Sequence, residues 1–275
     1  MPKKVTKAVI VAAGLGKRMF PFTKIDSKLL IPIINKPIVV YLMQELHESG
    51  ITDVLIVTNH TNKLKEFFTK NQHLNKILKK IEREDLIRYL YEIENLCKIQ
   101  YIKQNEPRGW VHAVLKAKDF IKDEPFVVLF SDLFYKSKIP AAKQVIDLFY
   151  KKNKSILSSG RYVFKPSVFK LISNFEFPLG GDWNSEHELF NKLKEKNDFF
   201  WYTFDGPSFS VGEPMDFLKT LLTITLEDQY YSRRLISIIQ YDKKFKRDIN
   251  EFYQAIKSEN KFIRKRINKN NERKK

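Results

Sequence analysis

One cysteine, Cys97, stands in a chain of 275 residues, so no disulfide framework can form. A single thiol in an apolar context points to a reducing interior, and a cytoplasmic location is the expectation. No apolar run reaches the length of a membrane span. The opening Met-Pro-Lys-Lys leads directly into a strand-like segment and lacks the long apolar stretch of a signal peptide. The five histidines show no metal-ligand spacing, and there is neither an internal repeat nor a flexible linker. Acidic residues are scarce: 32 Asp and Glu against 50 Lys and Arg leave a net charge of +18. The lysines spread over the whole length, which argues against nucleic acid as the main partner. Only the end, from Phe262 to Lys275, concentrates charge enough for a polyanion-binding or simply solvated tail.

What the chain does have is a hydrophobic content of 43%, enough for the core of an α/β domain with extensions. Near its start an apolar run enters Gly14-Leu15-Gly16-Lys17-Arg18, and Lys24, Lys28, Pro32 and Pro37 follow. This reads as a buried parallel strand ending in a tight glycine turn. Glycines there bring backbone N–H groups close to an anion, and Arg18 and Lys28 add positive charge. The same letters also suit an ordinary strand-to-loop turn. A Walker loop is excluded because no Gly-Lys-Ser/Thr follows, and a dinucleotide fingerprint is excluded because no third glycine arrives at its spacing.

Downstream, residues 38–49 show helical apolar spacing that stops at Gly50, a natural end signal. A strand is expected over 51–58, helices over 59–80 and 81–96, and a further strand over 99–104. Strand-helix-strand order without hairpin signals predicts a parallel sheet covered on both faces, with ligands at the carboxyl ends of its strands. Two polar residues fall at such ends. Gln104 precedes Asn-Glu-Pro-Arg-Gly109-Trp-Val-His112-Ala-Val, and its amide offers one donor and one acceptor at the strand end, although a strand-end Gln is commonly just solvated. Asp132 ends the run Glu124-Pro-Phe-Val-Val-Leu-Phe-Ser-Asp, which places one carboxylate at the sheet's carboxyl edge, where it could also simply cap a loop. From Glu213 onward the pattern is helical. Phe245, Ile249, Phe252, Ile256 and Ile263 give it an amphipathic face.

Taken whole, the opening string resembles the sugar-1-phosphate nucleotidyltransferases, and most closely the bacterial UTP:glucose-1-phosphate uridylyltransferase family. Ala13, Gly14, Gly16, Arg18, Met19, Pro21, Thr23, Lys24, Lys28, Pro32, Lys36 and Pro37 stand where that family places them, with Lys17 for its Thr. Gln104, Gly109, His112 and Ala113 match as well, with Val111 for a glycine, and Gly160-Arg-Tyr-Val matches further on. The resemblance implies a Rossmann-like three-layer α/β/α domain with a mixed, mostly parallel sheet over 1–226, and a basic helical extension over 227–275.

It also implies a site. Ala13, Gly14 and Gly16 would hold the triphosphate of UTP, Arg18 and Lys28 would neutralise phosphates, Gln104 and Gly109 would bind the base, and Asp132 would hold Mg2+. Gly160 and Glu186 would lie on the sugar side, with glucose-1-phosphate or a related sugar phosphate as second substrate. Self-association into a homo-oligomer is left open. Two departures stand out. The interval 133–159 is short and carries no counterpart of the family's sugar-phosphate lysine, for which Lys136, Lys138 or Lys154 are the local substitutes. Ser210 stands in place of a second metal-binding aspartate. A non-catalytic paralogue that binds nucleotide or a partner enzyme, and a polyanion-binding protein acting through the tail, are therefore the competing expectations.

Overall fold

A computed structural model of the chain describes residues 3–181, 184–251, 253 and 254. The chain divides into two compact units, Met1–Thr220 and Leu221–Lys275.

The first unit is built on strands buried on both faces. In β1 (Lys7–Ala12), Ala8, Val9 and Ile10 have no exposed surface, because parallel neighbours β4 (Asp53–Thr58) and β6 (Phe126–Phe130) flank it. Such strands need continuous apolar runs, and Ala-Val-Ile-Val, Val-Leu-Ile-Val and Phe-Val-Val-Leu supply them. The edge strand β5 (Lys98–Lys103) is only half buried and alternates accordingly. Between these strands lie a two-residue ribbon, β2 (Pro32–Ile33) with β3 (Lys36–Pro37), and helices α1 (Ile38–Glu48), α2 (Thr61–Phe68), α3 (Gln72–Lys80), α4 (Glu84–Glu94), α5 (Gly109–Lys116) and α6 (Lys118–Ile121). Local chemistry sets their ends: Gly50 takes a φ of +82° just past α1, and the Asn71 side chain caps α3 by accepting from Leu74 N.

After β6 the chain forms β7 (Leu133–Tyr135), α7 (Ala141–Lys152), β8 (Ser155–Leu157), β9 (Arg161–Phe164), α8 (Val168–Ile172), α9 (Asn184–Glu195), β10 (Phe199–Trp201) and β11 (Ser208–Ser210). The main sheet runs β10-β8-β9-β6-β1-β4-β5. The sheet is mixed and mostly parallel, as the resemblance implies, with β9 antiparallel to both β6 and β8. The segment from 158 to 160 is too short for a crossover, so the chain must double back. On one face of the sheet, Val9, Val11, Val57 and Val128 pack with Val114, Phe169 and Leu189 from α5, α8 and α9. Helices α1 and α7 pack against each other, and α7 also packs on β8 and β9. The result is the three-layer α/β/α arrangement.

A buried ion pair ties these layers together. Arg161, with no exposed surface, donates from Nε and Nη2 to the two carboxylate oxygens of Glu45, at 2.8 Å each. Its guanidinium also donates to the carbonyls of Leu133 and Gly160 at 2.9 Å, and Glu45 accepts from Ala142 N at the start of α7. One cluster thus joins α1, α7, β7 and β9.

Helix α10 (Pro214–Glu227) leads into the second unit, where α11 (Gln229–Tyr241) is capped by Asp228 and residues 243–251 are again helical. Phe245 and Ile249 of the expected amphipathic face are exposed here. Phe252, Ile256, Ile263 and the basic tail lie outside the described residues.

Candidate active site

The glycine turn after β1 is shaped by its own neighbours. Gly16 has a φ of +60°, and a Cβ there would lie 2.8 Å from Thr23 Cγ2, so only glycine fits. Thr23 Oγ1 donates to Gly16 O at 2.8 Å and fixes the turn from below. Gly14 meets nothing within 4 Å of where a Cβ would be, which leaves its backbone open to a ligand. The chain then makes a short 3-10 turn, Lys28–Leu30, capped by the Ser27 side chain.

Lys28 Nζ reaches 2.6 Å from Asp132 Oδ2, and both side chains are mostly buried. Asp132 follows β6 and is held by a second short sheet in which β7 pairs with β11 and Val211 N donates to Asp132 O. That pairing brings Ser210 beside the carboxylate. Ser210 Oγ accepts from Gly212 N at 3.1 Å, and a Cβ on Gly212 would lie 3.1 Å from Asp132 Oδ2 and 3.4 Å from Ser210 Oγ.

A cleft of about 580 Å³ opens over these groups, a size suited to a nucleotide. Ala13, Gly14, Gly16, Arg18, Lys28, Gln104, Gly109 and Asp132 all line it, so eight of the ten residues singled out in the sequence meet at one place. Lys17, Trp110, Phe130, Ser131, Gly180 and Gly212 line it too. Arg18 is exposed and stands 3.5 Å from Glu213. With Lys17 and Lys28 against Asp132, the walls favour an anionic ligand.

Gln104 is 2% exposed and its amide is oriented from both ends. Oε1 lies 3.1 Å from His112 Nδ1, and Nε2 faces Gly109 O at 3.5 Å. Because Gly109 O only accepts, the NH2 group must face it, so Oε1 faces His112, whose Nδ1 then carries the hydrogen. One donor and one acceptor of the amide remain for a ligand. Burial, with help from Lys116 and Arg108, holds the His112 pKa below its usual value, which keeps the ring neutral at pH 7.

Gly160 and Glu186 do not line the cleft; each stands behind an aromatic residue that does. Gly160 O accepts from Phe130 N at 3.1 Å, and Glu186 Oε2 accepts from Trp110 Nε1 at 3.0 Å. Trp110 carried no role in the sequence reading, yet it lies among Phe130, Tyr162, Phe164 and Phe190. The three candidate substitute lysines do not reach the cleft. Lys136 and Lys138 border a different cavity, and Lys154 donates to Asn197 Oδ1. Among the described residues, no group of three or more His, Cys, Asp or Glu side chains is placed to hold a metal ion.

The nucleotidyl transferase family matches residues 7–158, a span that runs from β1 through the glycine turn and Gln104 to Asp132 and β8. The chain belongs to the nucleotidyl transferase family. Within that family it groups with bacterial UTP-glucose-1-phosphate uridylyltransferases. It is 30% identical to the one from Bacillus subtilis (strain 168) over 284 residues, which covers 86% of this chain and 97% of the relative. A Staphylococcus epidermidis relative of the same description is 28% identical, with 86% and 98% covered. An alignment 284 positions long that takes in 86% of 275 residues leaves tens of the relative's residues without a counterpart here. Among solved structures, the fold is shared with a UTP-bound UGPase from Acinetobacter baumannii (TM-score 0.77, 21% identity, 86% and 99% covered). It is also shared with a UDP-glucose pyrophosphorylase complexed with UDP-glucose (TM-score 0.70, 21% identity, 82% and 100% covered). No described helix of this nucleotidyl transferase is long and apolar enough to cross a membrane.

Proposed function

We propose that this nucleotidyl transferase makes UDP-glucose and pyrophosphate from UTP and glucose-1-phosphate. The observation that carries the reading is the convergence of the open Gly14–Gly16 turn, Lys28 and Asp132 in one cleft with a buried, oriented amide at Gln104. The activity named for its relatives is of the same kind.

In this reading the UTP phosphates lie over the turn, where backbone N–H groups of Gly14 to Gly16 donate to them. Arg18, exposed and loosely paired, swings onto the β- and γ-phosphates and draws charge from the departing pyrophosphate. Lys28 moves from Asp132 to the phosphates. Uracil O4 accepts from Gln104 Nε2 while N3–H donates to Oε1, and Gly109 lets the ring approach. A sugar-phosphate oxygen then attacks the α-phosphorus as the bond to the leaving oxygen breaks. Phosphoryl transfer of this type is chiefly positioning and charge neutralisation. Gly160 and Glu186 contribute on the sugar side by setting Phe130 and Trp110.

The donor set suits Mg2+, a hard cation held at nucleotide sites by one or two carboxylates together with substrate phosphates and water. Asp132 would hold it, with the Ser210 hydroxyl beside it, and the metal would offset charge on the triphosphate. A hydroxyl where a second carboxylate is expected favours a second reading, in which UTP binds without turnover. Calorimetry with UTP and ATP in the presence of Mg2+ tests the binding half of both readings. UTP is expected to bind at least tenfold more tightly, about 1.4 kcal/mol; equal affinities would remove the uracil assignment.

A further inference from the structure

Four charged side chains line the cleft: Lys17, Arg18, Lys28 and Asp132. Three of them are already engaged. Lys28 is paired with Asp132, and Arg18 stands 3.5 Å from Glu213. The Lys17 ammonium makes no hydrogen bond or ion pair with any described residue. A ligand must therefore compete with a carboxylate for Lys28 and Arg18, but not for Lys17.

The backbone sets where that ammonium starts. Gly16, at φ +60° and ψ 34°, leads into a short 3-10 turn, Lys17–Met19, closed by Met19 N donating to Gly16 O at 2.8 Å. Lys17 opens this turn and is exposed, so its side chain leaves the same bend whose backbone lies open at Gly14. Lys28 packs against that bend as well, since a Cβ on Gly16 would be 3.2 Å from Lys28 Cε. On the metal side stands one carboxylate, Asp132, with the Ser210 hydroxyl near it across Gly212. A hydroxyl is a neutral ligand, so a divalent cation there meets less negative charge than two carboxylates would supply.

We propose that Lys17 anchors the nucleotide's triphosphate without needing metal: its ammonium binds phosphate oxygens directly from the glycine turn and supplies positive charge that a metal site with a single carboxylate holds only weakly. The inference rests on the reading that the UTP phosphates lie over this turn. A lysine head is a compact, strongly charged donor on a flexible stem, which suits phosphate oxygens without demanding planar geometry. Its contribution is greatest when Mg2+ is scarce, because metal and ammonium offset the same negative charge.

Calorimetric titration of UTP and of uridine, each in EDTA and in saturating Mg2+, tests this with the unaltered chain, Lys17→Gln and Lys17→Arg. In EDTA the unaltered chain is expected to bind UTP, Lys17→Gln to bind it about tenfold or more weakly, and Lys17→Arg to stay within about threefold. In Mg2+ the loss in Lys17→Gln should shrink, and uridine, which carries no phosphate, should bind all three proteins alike. Circular dichroism checks the fold of each variant. The proposal is overturned, with the reading of the cleft left standing, if UTP binds only with Mg2+, if Lys17→Gln binds UTP in EDTA as the unaltered chain does, if its loss is no larger in EDTA than in Mg2+, or if uridine weakens as much as UTP. No UTP binding by the unaltered chain in either condition would remove the reading of the cleft and this inference with it.

Discussion

Lys28 Nζ and Asp132 Oδ2 lie 2.6 Å apart although the two residues are 104 positions apart in the chain. The pair is mutually neutralised and mostly shielded from water, which strengthens it relative to a surface ion pair. In the proposed reading, a magnesium nucleotide would offer each partner a better one, phosphate for the lysine and a cation for the aspartate. The site is thus held together before its ligands arrive.

Gln104→Leu should remove the base-reading amide while leaving the phosphate contacts. UTP affinity is expected to fall by about 1–3 kcal/mol, the usual cost of an unmet buried polar group, and the preference for UTP over CTP should disappear. Competition calorimetry with the two nucleotides measures both. Retained discrimination would place the base elsewhere.

Ser210→Asp should restore a second carboxylate beside Asp132. Without Mg2+ the two acids repel each other, so the thermal midpoint should drop; with Mg2+ and UTP it should recover and exceed that of the unaltered protein. Metal dependence of turnover should shift to lower Mg2+ by about tenfold or more. A variant whose midpoint ignores Mg2+ would show that Ser210 does not border the metal site.

Arg161→Met leaves the Glu45 carboxylate buried without its counter-charge. A loss of about 3–5 kcal/mol is expected from breaking such a pair, measured by chemical denaturation. Glu45→Gln together with Arg161→Met should recover much of it, since no lone charge then remains. Additive losses would contradict the pairing.

The Cys97 thiol is pushed up to about 12 by burial, with the Asp53 carboxylate adding to the shift. It is therefore protonated at pH 8 and slow to alkylate in the folded protein, and it should label at an ordinary rate once unfolded. Because the folded state keeps its proton after the unfolded thiol has lost one, this group lowers stability as pH rises above about 8.5. Mass spectrometry after timed iodoacetamide exposure reads the rate directly. Fast labelling of the native chain would place Cys97 at the surface.

Much of this was legible in the letters because the glycine turn and Asp132 each follow an apolar run that suits a buried parallel strand, and Gln104 follows an alternating strand parallel to them at the sheet edge. Strand ends then fall on one edge of the sheet, and residues distant in sequence share a cleft. What stayed hidden depends on the third dimension. Glu45 interrupts the apolar face of α1, and Arg161 opens a buried strand; each is an odd charge in an apolar pattern, but their union needs the register of β9. Its reversed direction was readable only from the brevity of 158–160. Trp110, which stands between the motif residues Gly109 and His112, lines the cleft, and its indole N–H donates to Glu186, 76 residues away. Lys136 and Lys138 seemed to be substitutes for a missing cation because they follow Asp132, but β7 carries them to another cavity.

Incubating the chain with UTP, glucose-1-phosphate and Mg2+, and following UDP-glucose and pyrophosphate together, tests the central claim most directly. Both products should appear in equal amounts, at a rate below the ~10 s⁻¹ typical of enzymes because a hydroxyl replaces one carboxylate, and Asp132→Asn should abolish them. UTP binding without any UDP-glucose formation, under saturating substrates and metal, would contradict it and leave a nucleotide-binding protein that does not turn over.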